Sequence, residues 1–414
     1  MLAGTPQARR ASARARRRRL AAAAAAALAP ALLVGAQAGA ATPQRALTAT
    51  LARELRAAGP SSGALVVDVD SGRTLFSSRA RTRRIPASVE KLYTTSTALL
   101  AFGPAGRLRT RALGAGTLEP GGRWRGNLYL RGAGDPTFGS ASAARRNYGS
   151  SASTAALARE VAGAGLHRVS GHVLGDGTLL YNGLSSRAYA ARQLALALRA
   201  AGVRVSTRAG IGSAPSGAEM LAGVASPSIA ALIRMTNVPS DNYLADTLLR
   251  ALGTGRRGTG TYSQGAAAIR ARLAPFGLRP QVADGSGLSR ANRTSPAEVV
   301  RLLRSMASDR AFRRSLAVAG RSGTLAGRMR GTTAAGRCQG KTGTLSNVSN
   351  LAGYCRARNG DTLAFAILMN GVWPPGARVL QNRMAIAIAR YDGVPGAAPS
   401  PSSPASGGGG APGG

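Results

Sequence analysis

Three short motifs with reactive side chains occur in order along the chain, at residues 88–91 (SVEK), 240–242 (SDN) and 341–343 (KTG). A serine hydroxyl is a poor nucleophile until a neighbouring base takes its proton. Residues three apart on a helix share a face, so Lys91 would reach the hydroxyl of Ser88. The free N–H groups at a helix N-terminus would also stabilise a developing oxyanion. The first motif therefore predicts nucleophilic catalysis by Ser88, with Lys91 as its base.

The lysine content of the chain supports this interpretation. Of 55 basic residues, only Lys91 and Lys341 are lysines, and the other 53 (55 − 2) are arginines. Arginine stays protonated at any accessible pH and cannot act as a general base. A lysine can do so where burial or a nearby cation destabilises its ammonium. We expect Lys341 to be that second cation and to hold a substrate carboxylate.

Hydrophobic periodicity predicts a mixed α+β fold in which strands from both ends of the chain meet in one sheet. A capping box at Ser295 and Glu298 starts one helix of a helical middle section at 227–320. The other predicted helices cover 44–58, 88–101, 189–201 and 377–391, and the predicted strands cover 63–70, 73–77, 127–131, 337–344, 348–356 and 362–370.

The two cysteines of the chain, Cys338 and Cys355, lie on either side of the KTG motif. If Ser346 and Asn347 form a two-residue turn, the numbers of paired residues sum to 693 and Cys338 faces Cys355. Directly opposed residues of a hairpin can satisfy the distance limits of a disulfide. We predict a disulfide between them that braces the strand of Lys341.

Residues 1–40 have the pattern of a cleavable export signal. An arginine-rich segment is followed by an apolar stretch at 20–34 and by Ala-x-Ala sites at 36–38 and 38–40. The alternative is an uncleaved anchor. A cysteine pair that forms a disulfide is typical of proteins that leave the cytoplasm. We therefore expect an exported, extracytoplasmic protein without a stable transmembrane anchor.

The net charge of +39 does not indicate nucleic-acid binding. The basic residues are scattered, and aromatic residues for base stacking are scarce, at 4% of the chain. Anionic wall polymers remain candidate partners of the basic surface. No cofactor or metal is expected, because His167 and His172 are the only histidines and have no cysteine nearby.

The three motifs together resemble those of β-lactamases and penicillin-binding proteins. Two further segments, GNLYLRGAGDPT at 126–137 and DGSGLSR at 284–290, make the chain similar to one family. This is the DacB-like peptidase S13 family of D-alanyl-D-alanine carboxypeptidases and endopeptidases, low-molecular-mass penicillin-binding proteins of class C. The resemblance covers roughly residues 45–392.

The resemblance implies a penicillin-binding-protein or β-lactamase-like transpeptidase fold, an antiparallel sheet flanked by helices with a smaller inserted domain. The catalytic domain would comprise 41–105 and 226–394, the shortened insert 106–225, and a disordered Pro/Gly/Ser tail 395–414. The implied reaction is cleavage of peptidoglycan stem peptides ending in D-Ala-D-Ala through an acyl-enzyme, with β-lactams as covalent inhibitors.

The resemblance also implies roles for single residues. Ser240 would relay a proton to the leaving amine, and Asn242 would orient Lys91 and the substrate amide. The backbone N–H groups of Ser88 and Thr344 would form the oxyanion hole. Substrate binding is assigned to the strand segment that follows Lys341, namely Thr342, Gly343 and Thr344.

Two other functions remain open. A β-lactamase would share the motifs, but a class A enzyme needs a deacylating glutamate after SDN, and the chain has none between Asn242 and Glu298. A non-catalytic, basic cell-wall-binding protein is the second alternative. The region 176–208 is shorter than its counterpart in the family, so residues that recognise the stem-peptide side chain cannot be assigned.

Overall fold

The computed structural model describes residues 43–254 and 260–393, so the predicted export signal at 1–40 and tail at 395–414 lie outside the described residues. The α-helices are α1 Pro43–Ala57, α2 Lys91–Phe102, α3 Ala141–Tyr148, α4 Thr154–Gly163, α5 Arg187–Ala200, α6 Ile229–Asn237, α7 Asn242–Leu252, α8 Tyr262–Leu273, α9 Pro296–Ser305, α10 Arg310–Arg314 and α11 Pro374–Arg390. The strands are β1 Ser62–Asp68, β2 Thr74–Ser78, β3 Arg109–Glu119, β4 Arg123–Ala133, β5 Arg168–Val169, β6 Val173–Thr178, β7 Ala209–Ile211, β8 Glu219–Ala225, β9 Ala317–Val318, β10 Cys338–Leu345, β11 Val348–Arg356 and β12 Thr362–Asn370. Short 3₁₀ turns cover Ala87–Glu90, Ala274–Phe276 and Gly323–Leu325.

The first sheet joins strands from both ends of the chain, as predicted. Its order is β2-β1-β12-β11-β10-β9, and every pair is antiparallel. Helices α1 and α11 pack on one face, while α2 and α6 to α9 pack on the other. Strands β11 and β12 are buried along almost their whole length because both faces of the sheet are covered. The predicted α+β fold is confirmed.

A second sheet is built from residues 109–225, within the range predicted for the insert. Its order is β7-β6-β4-β3-β8, with β5 added beside β4. Strands β3 and β4 form an antiparallel hairpin, whereas β4, β6 and β7 run parallel to one another. Helices α4 and α5 cover this sheet and share a separate apolar core with it. The division of the chain into a catalytic and an inserted domain stays a prediction.

The helix predicted to begin at Ser88 differs in its first turn. Residues Ala87–Glu90 form a 3₁₀ turn, and the α-helix begins at Lys91. Ala87 has a φ of 47°, a left-handed conformation, which bends the chain immediately before Ser88. In a 3₁₀ turn the side chains at i and i+3 eclipse each other, so this geometry brings Ser88 and Lys91 together more directly than an α-helix would.

The hairpin of β10 and β11 has the predicted register. Leu345 pairs with Val348 across the Ser346–Asn347 turn, and Cys338 pairs with Cys355. A disulfide joins the two cysteines, as predicted. The predicted capping box at Ser295 is also present. None of the described helices combines the length and the apolar character needed to cross a membrane.

Replacing both cysteines by alanine should destabilise the protein without changing its fold. The disulfide closes a loop of 17 residues, and loop entropy alone gives about 3 kcal/mol for a loop of this length. Urea unfolding monitored by circular dichroism measures the loss. A double variant as stable as the parent under oxidising conditions would show that the disulfide contributes nothing to stability.

Candidate active site

The structure places Ser88 and Lys91 in direct contact. Ser88 lies half-buried in the 3₁₀ turn, and Lys91 is the first residue of α2. The Lys91 Nζ atom donates a hydrogen bond to the Ser88 Oγ atom at 2.9 Å. A base within hydrogen-bond reach of a serine hydroxyl is the arrangement that nucleophilic catalysis requires.

Three chain segments converge on the ammonium of Lys91. Besides Ser88, its Nζ atom donates to the Asn242 Oδ1 atom at 2.7 Å and to the Ser286 backbone oxygen at 2.6 Å. Lys91 is fully buried, and this burial lowers its pKa from 10.5 to about 8 despite four surrounding carboxylates that act in the opposite direction. The amine is therefore partly neutral near neutral pH, which a general base must be.

The second motif is oriented by the start of α7. Asp241 is the N-cap residue, and its Oδ1 atom accepts a hydrogen bond from the Leu244 amide at 2.8 Å. This cap fixes the first turn of α7, from which Asn242 reaches Lys91. Ser240 precedes the cap with a φ of 68°, and its hydroxyl makes no hydrogen bond within the part of the chain described. The hydroxyl is thus not committed to a structural contact there.

The third motif lies on β10, next to the 3₁₀ turn Ala87–Glu90. This turn is called here the nucleophile turn, after the predicted nucleophile Ser88. Lys341 is fully buried, and its Nζ atom donates to the Thr342 backbone oxygen at 2.9 Å. Burial lowers the pKa of Lys341 well below its usual range, and the nearby Lys91 lowers it further. The Thr342 hydroxyl bonds to the Thr324 hydroxyl at 2.9 Å, while Thr344 is exposed. The two lysines of the chain therefore do lie close enough to interact.

Close backbone contact holds β10 against the nucleophile turn. A Cβ atom on Gly343 would lie 2.6 Å from the Pro86 oxygen and 3.1 Å from the Ser88 nitrogen, so only glycine fits there. From the adjacent strand β11, the Asn350 Nδ2 atom donates to the backbone oxygens of Ile85 and Pro86. The turn that carries Ser88 is thereby fixed to the sheet.

A loop at 284–289 completes the site, and its contacts were not anticipated from the sequence. The Asp284 carboxylate accepts hydrogen bonds from the amides of Gly287 and Ser289. On α7 the Asp246 Oδ1 atom accepts from the Gly285 amide at 2.9 Å. These bonds aim the carbonyl of Ser286 at Lys91. The DGSG sequence predicts a loop. Residue types do not reveal which backbone carbonyl of that loop accepts a hydrogen bond from Lys91.

Glu90 is a buried acid that the motif pattern did not single out. It has no exposed surface, and neither of its carboxyl oxygens has a hydrogen-bond partner among the described residues. Burial raises its pKa well above the usual range, and the neighbouring Asp284 and Glu298 raise it further. Glu90 therefore resists ionisation in the folded protein, although it precedes Lys91 directly.

The two histidines, for which the sequence predicts no metal site, lie next to short strands of the second sheet. His167 precedes β5 and His172 precedes β6. Within residues 43–254 and 260–393, no group of three or more histidine, cysteine or acidic residues could hold a metal ion.

The chain belongs to the D-Ala-D-Ala carboxypeptidase 3 (S13) family, whose model matches residues 44–186 and 182–391. It is 36% identical over 211 residues to the D-alanyl-D-alanine carboxypeptidase of Actinomadura sp. strain R39, which covers 48% of this chain and 39% of that enzyme. It is 28% identical over 396 residues to the carboxypeptidase DacB of Mycolicibacterium smegmatis, covering 83% and 84% of the two chains. The resemblance stated from the motifs is confirmed.

Solved structures share the fold. Penicillin-binding protein 4 of Haemophilus influenzae, complexed with a β-lactam, matches with a TM-score of 0.67 at 20% identity over 81% of this chain and 97% of that chain. A predatory peptidoglycan endopeptidase of Bdellovibrio bacteriovorus matches with a TM-score of 0.54 at 18% identity, covering 80% and 93%. The predicted penicillin-binding-protein fold is therefore confirmed.

The substitution Glu90→Gln should stabilise the protein at neutral pH. A carboxyl whose folded-state pKa lies above its unfolded value of 4.5 costs stability above that value, and the cost vanishes as the pH falls below it. Glutamine keeps the shape and removes the titration. We expect E90Q to unfold a few degrees higher than the parent at neutral pH, with a margin that shrinks in acid.

Thermal unfolding followed by circular dichroism over a pH series measures this margin. Glu219→Gln serves as the control, because Glu219 is exposed and makes no ion pair within the described residues. A margin for E90Q that is independent of pH, or a loss of stability at neutral pH, would contradict a buried carboxyl with a raised pKa.

Proposed function

We propose that the chain is a serine D,D-carboxypeptidase that cleaves D-Ala-D-Ala peptides of peptidoglycan and, as a D,D-endopeptidase, peptide cross-links. The observation that carries this proposal is the contact of Lys91 with both Ser88 and Asn242. Membership of the S13 family supports the same reaction. The Actinomadura relative is named for the carboxypeptidase activity, and a structural neighbour is named as a peptidoglycan endopeptidase.

Acylation begins at the Ser88 Oγ atom. Neutral Lys91 takes the hydroxyl proton while the oxygen attacks the carbonyl carbon of the penultimate D-Ala. A carbon–oxygen bond forms, and the electron pair of the carbonyl bond moves to its oxygen. The backbone N–H groups of Ser88 and Thr344 stabilise this oxyanion, because fixed donors act strongly in a site that excludes water.

Collapse of the intermediate breaks the bond between the carbonyl carbon and the nitrogen of the terminal D-Ala. The proton held by Lys91 passes through the Ser240 hydroxyl to the departing nitrogen, so D-Ala leaves as a neutral amine. Water then attacks the ester, with Lys91 again as base, and the Ser88 oxygen recovers its proton as the shortened peptide departs. Atoms and charges balance over the two half-reactions.

Lys341 recognises the terminal carboxylate of the substrate. Burial alone disfavours its ammonium, but an incoming carboxylate favours the charged form and forms an ion pair in a region of low dielectric. Thr342, which already bonds to Thr324, adds a hydroxyl beside it. The segment from Thr342 through Gly343 to Thr344 aligns the peptide backbone as an added strand.

β-Lactams acylate the same serine, but their leaving nitrogen stays tethered through the opened ring. Deacylation is then slow, because the glutamate that follows the SDN motif is engaged elsewhere and does not activate water. Glu298, the first glutamate after Asn242, accepts from the Ser295 amide at 3.0 Å and pairs with Arg83 at 3.2 Å. This engagement favours a penicillin-inhibited peptidase over a β-lactamase.

The enzyme acts outside the cytoplasm, where its substrate lies. The Cys338–Cys355 disulfide supports this location because such bonds persist in oxidising compartments. The composition of residues 1–40 supports export in the same way. A strongly positive net charge favours retention by anionic wall polymers.

Penicillin treatment should add one intact penicillin mass, located on Ser88. Mass spectrometry of the digested protein identifies the modified peptide. Ser88→Ala should lose both the adduct and D-Ala release, since no other nucleophile replaces the hydroxyl. Ser305→Ala, at an exposed serine of α9, should keep both. Labelling that persists in S88A would refute the nucleophile assignment, and an unlabelled parent would favour a non-catalytic wall-binding protein.

The acylation rate should rise with pH as Lys91 loses its proton. Its folded-state pKa of about 8 means that the neutral base is scarce below this value and predominates above it. The second-order rate constant for acylation by a fluorescent penicillin, measured across this range, should therefore rise with a midpoint near 8. Lys91→Arg should be inactive at every pH, because arginine stays protonated. A rate that is flat through this range would argue against Lys91 as the base.

A further inference from the structure

A basic cavity of about 610 Å³ opens at the start of β10, away from the three motifs. Four arginines from different segments line it: Arg313 from α10, Arg337 just before β10, Arg356 at the end of β11 and Arg358 in the following turn. Gln339 adds an amide to the lining. No acidic side chain belongs to the lining.

None of these four guanidinium groups has an ion-pair partner within the described part of the chain. The acidic residues nearest in sequence are already engaged. The Asp309 carboxylate accepts from the Phe312 amide at 2.9 Å, and the Asp361 carboxylate accepts from the Asn359 side chain at 2.7 Å. The lining of the cavity therefore carries positive charge without an ion-paired acid, and an anion would neutralise it.

The hairpin forces two of these charges together. The Arg356 amide donates to the Arg337 oxygen at 3.0 Å, which extends the register of the hairpin by one pair beyond the disulfide. Like charges directly opposite each other on neighbouring strands destabilise a hairpin. A bound anion between Arg337 and Arg356 would turn this repulsion into attraction.

The walls of the cavity are held in place. The Arg313 guanidinium lies over the Tyr354 ring, 5.0 Å from its centre, and the Arg337 Nη1 atom donates to the Ala357 oxygen at 3.3 Å. The Cys338–Cys355 disulfide joins the residues next to Arg337 and Arg356. Little freedom of the Arg313 and Arg337 side chains is then lost on binding, which favours affinity.

We propose that this cavity, called here the arginine cavity and defined by Arg313, Arg337, Arg356 and Arg358, binds a polyanion with phosphate groups in series. The planar guanidinium matches phosphate oxygens with two parallel hydrogen bonds. Four such groups exceed what one carboxylate can accept. A chain of linked phosphates satisfies all four across a cavity of this size.

The identity of the natural ligand as an anionic wall polymer rests on the proposed function. Binding of an anion at the cavity does not depend on the peptidase reaction. Side chains alternate between the two faces of an extended chain, so residues 337, 339 and 341 lie on the same face. The rise per residue of a strand places residue 337 roughly 13 Å from Lys341. Retention through the arginine cavity would therefore hold the active site next to the wall without occupying it.

The test is binding of sodium tripolyphosphate to the full chain at physiological ionic strength, measured by isothermal titration calorimetry. The double variant Arg356→Gln/Arg358→Gln removes two guanidinium groups that make no hydrogen bond within the described residues. Affinity should fall at least about tenfold, because each charge-assisted contact is strong. Arg192→Gln/Arg199→Gln removes two exposed charges on α5 and should stay within about twofold. Arg337→Gln, measured separately, should weaken binding in the same direction.

Equal losses in the two double variants would overturn the proposal in favour of general charge attraction. It would also be overturned if the parent failed to bind tripolyphosphate, or bound only vesicles of anionic phospholipid, which would identify a lipid surface. Tripolyphosphate binding much tighter than orthophosphate binding would support phosphates in series. Penicillin labelling of the same samples reports separately on the peptidase proposal and confirms folded protein.

Discussion

The hydrogen bonds of the buried Lys91 ammonium are the interaction on which the site depends. A charge without exposed surface is tolerated only when its donors are matched, and the acceptors come from the nucleophile turn, from Asn242 on α7 and from the carbonyl of Ser286. The first sheet carries none of these three acceptors. The position of Lys91 therefore ties two helices and a loop together before any substrate arrives. The same burial that demands the acceptors also lowers the pKa of Lys91 to about 8.

The sheet contributes through close approach. Gly343 lets β10 touch the nucleophile turn, and on its other side Gly287, with a φ of 83°, leaves no room for a Cβ atom beside the Ala87 oxygen. The turn of Ser88 thus packs closely against β10 at Gly343 and against the 284–289 loop at Gly287. Asn350 completes the clamp from β11. Small side chains at these positions are therefore a requirement of the site and not a result of the Gly-rich composition.

The two kinds of cation in this chain occupy different environments. Lys91 and Lys341 are fully buried, where an ammonium loses its proton more readily than in water. Arg356 and Arg358 are exposed at the arginine cavity, where a permanently charged planar group suits an anion. Titrating cations therefore lie at the active site, one on α2 and one on β10, whereas permanent cations lie near the start of β10.

The motif order, the strand alternation and the hairpin register that joins Cys338 to Cys355 were predictable from the sequence alone, because they depend on residue type and local spacing. The α+β fold and the contact of Ser88 with Lys91 followed from the same signals. The contact of the Ser286 carbonyl with Lys91 was not predictable in this way, since every residue has a carbonyl and tertiary packing alone orients this one. The sequence analysis does not single out Glu90, and the burial of this residue depends on segments almost two hundred residues away. The arginine cavity likewise forms from arginines that the sequence shows only as scattered charge.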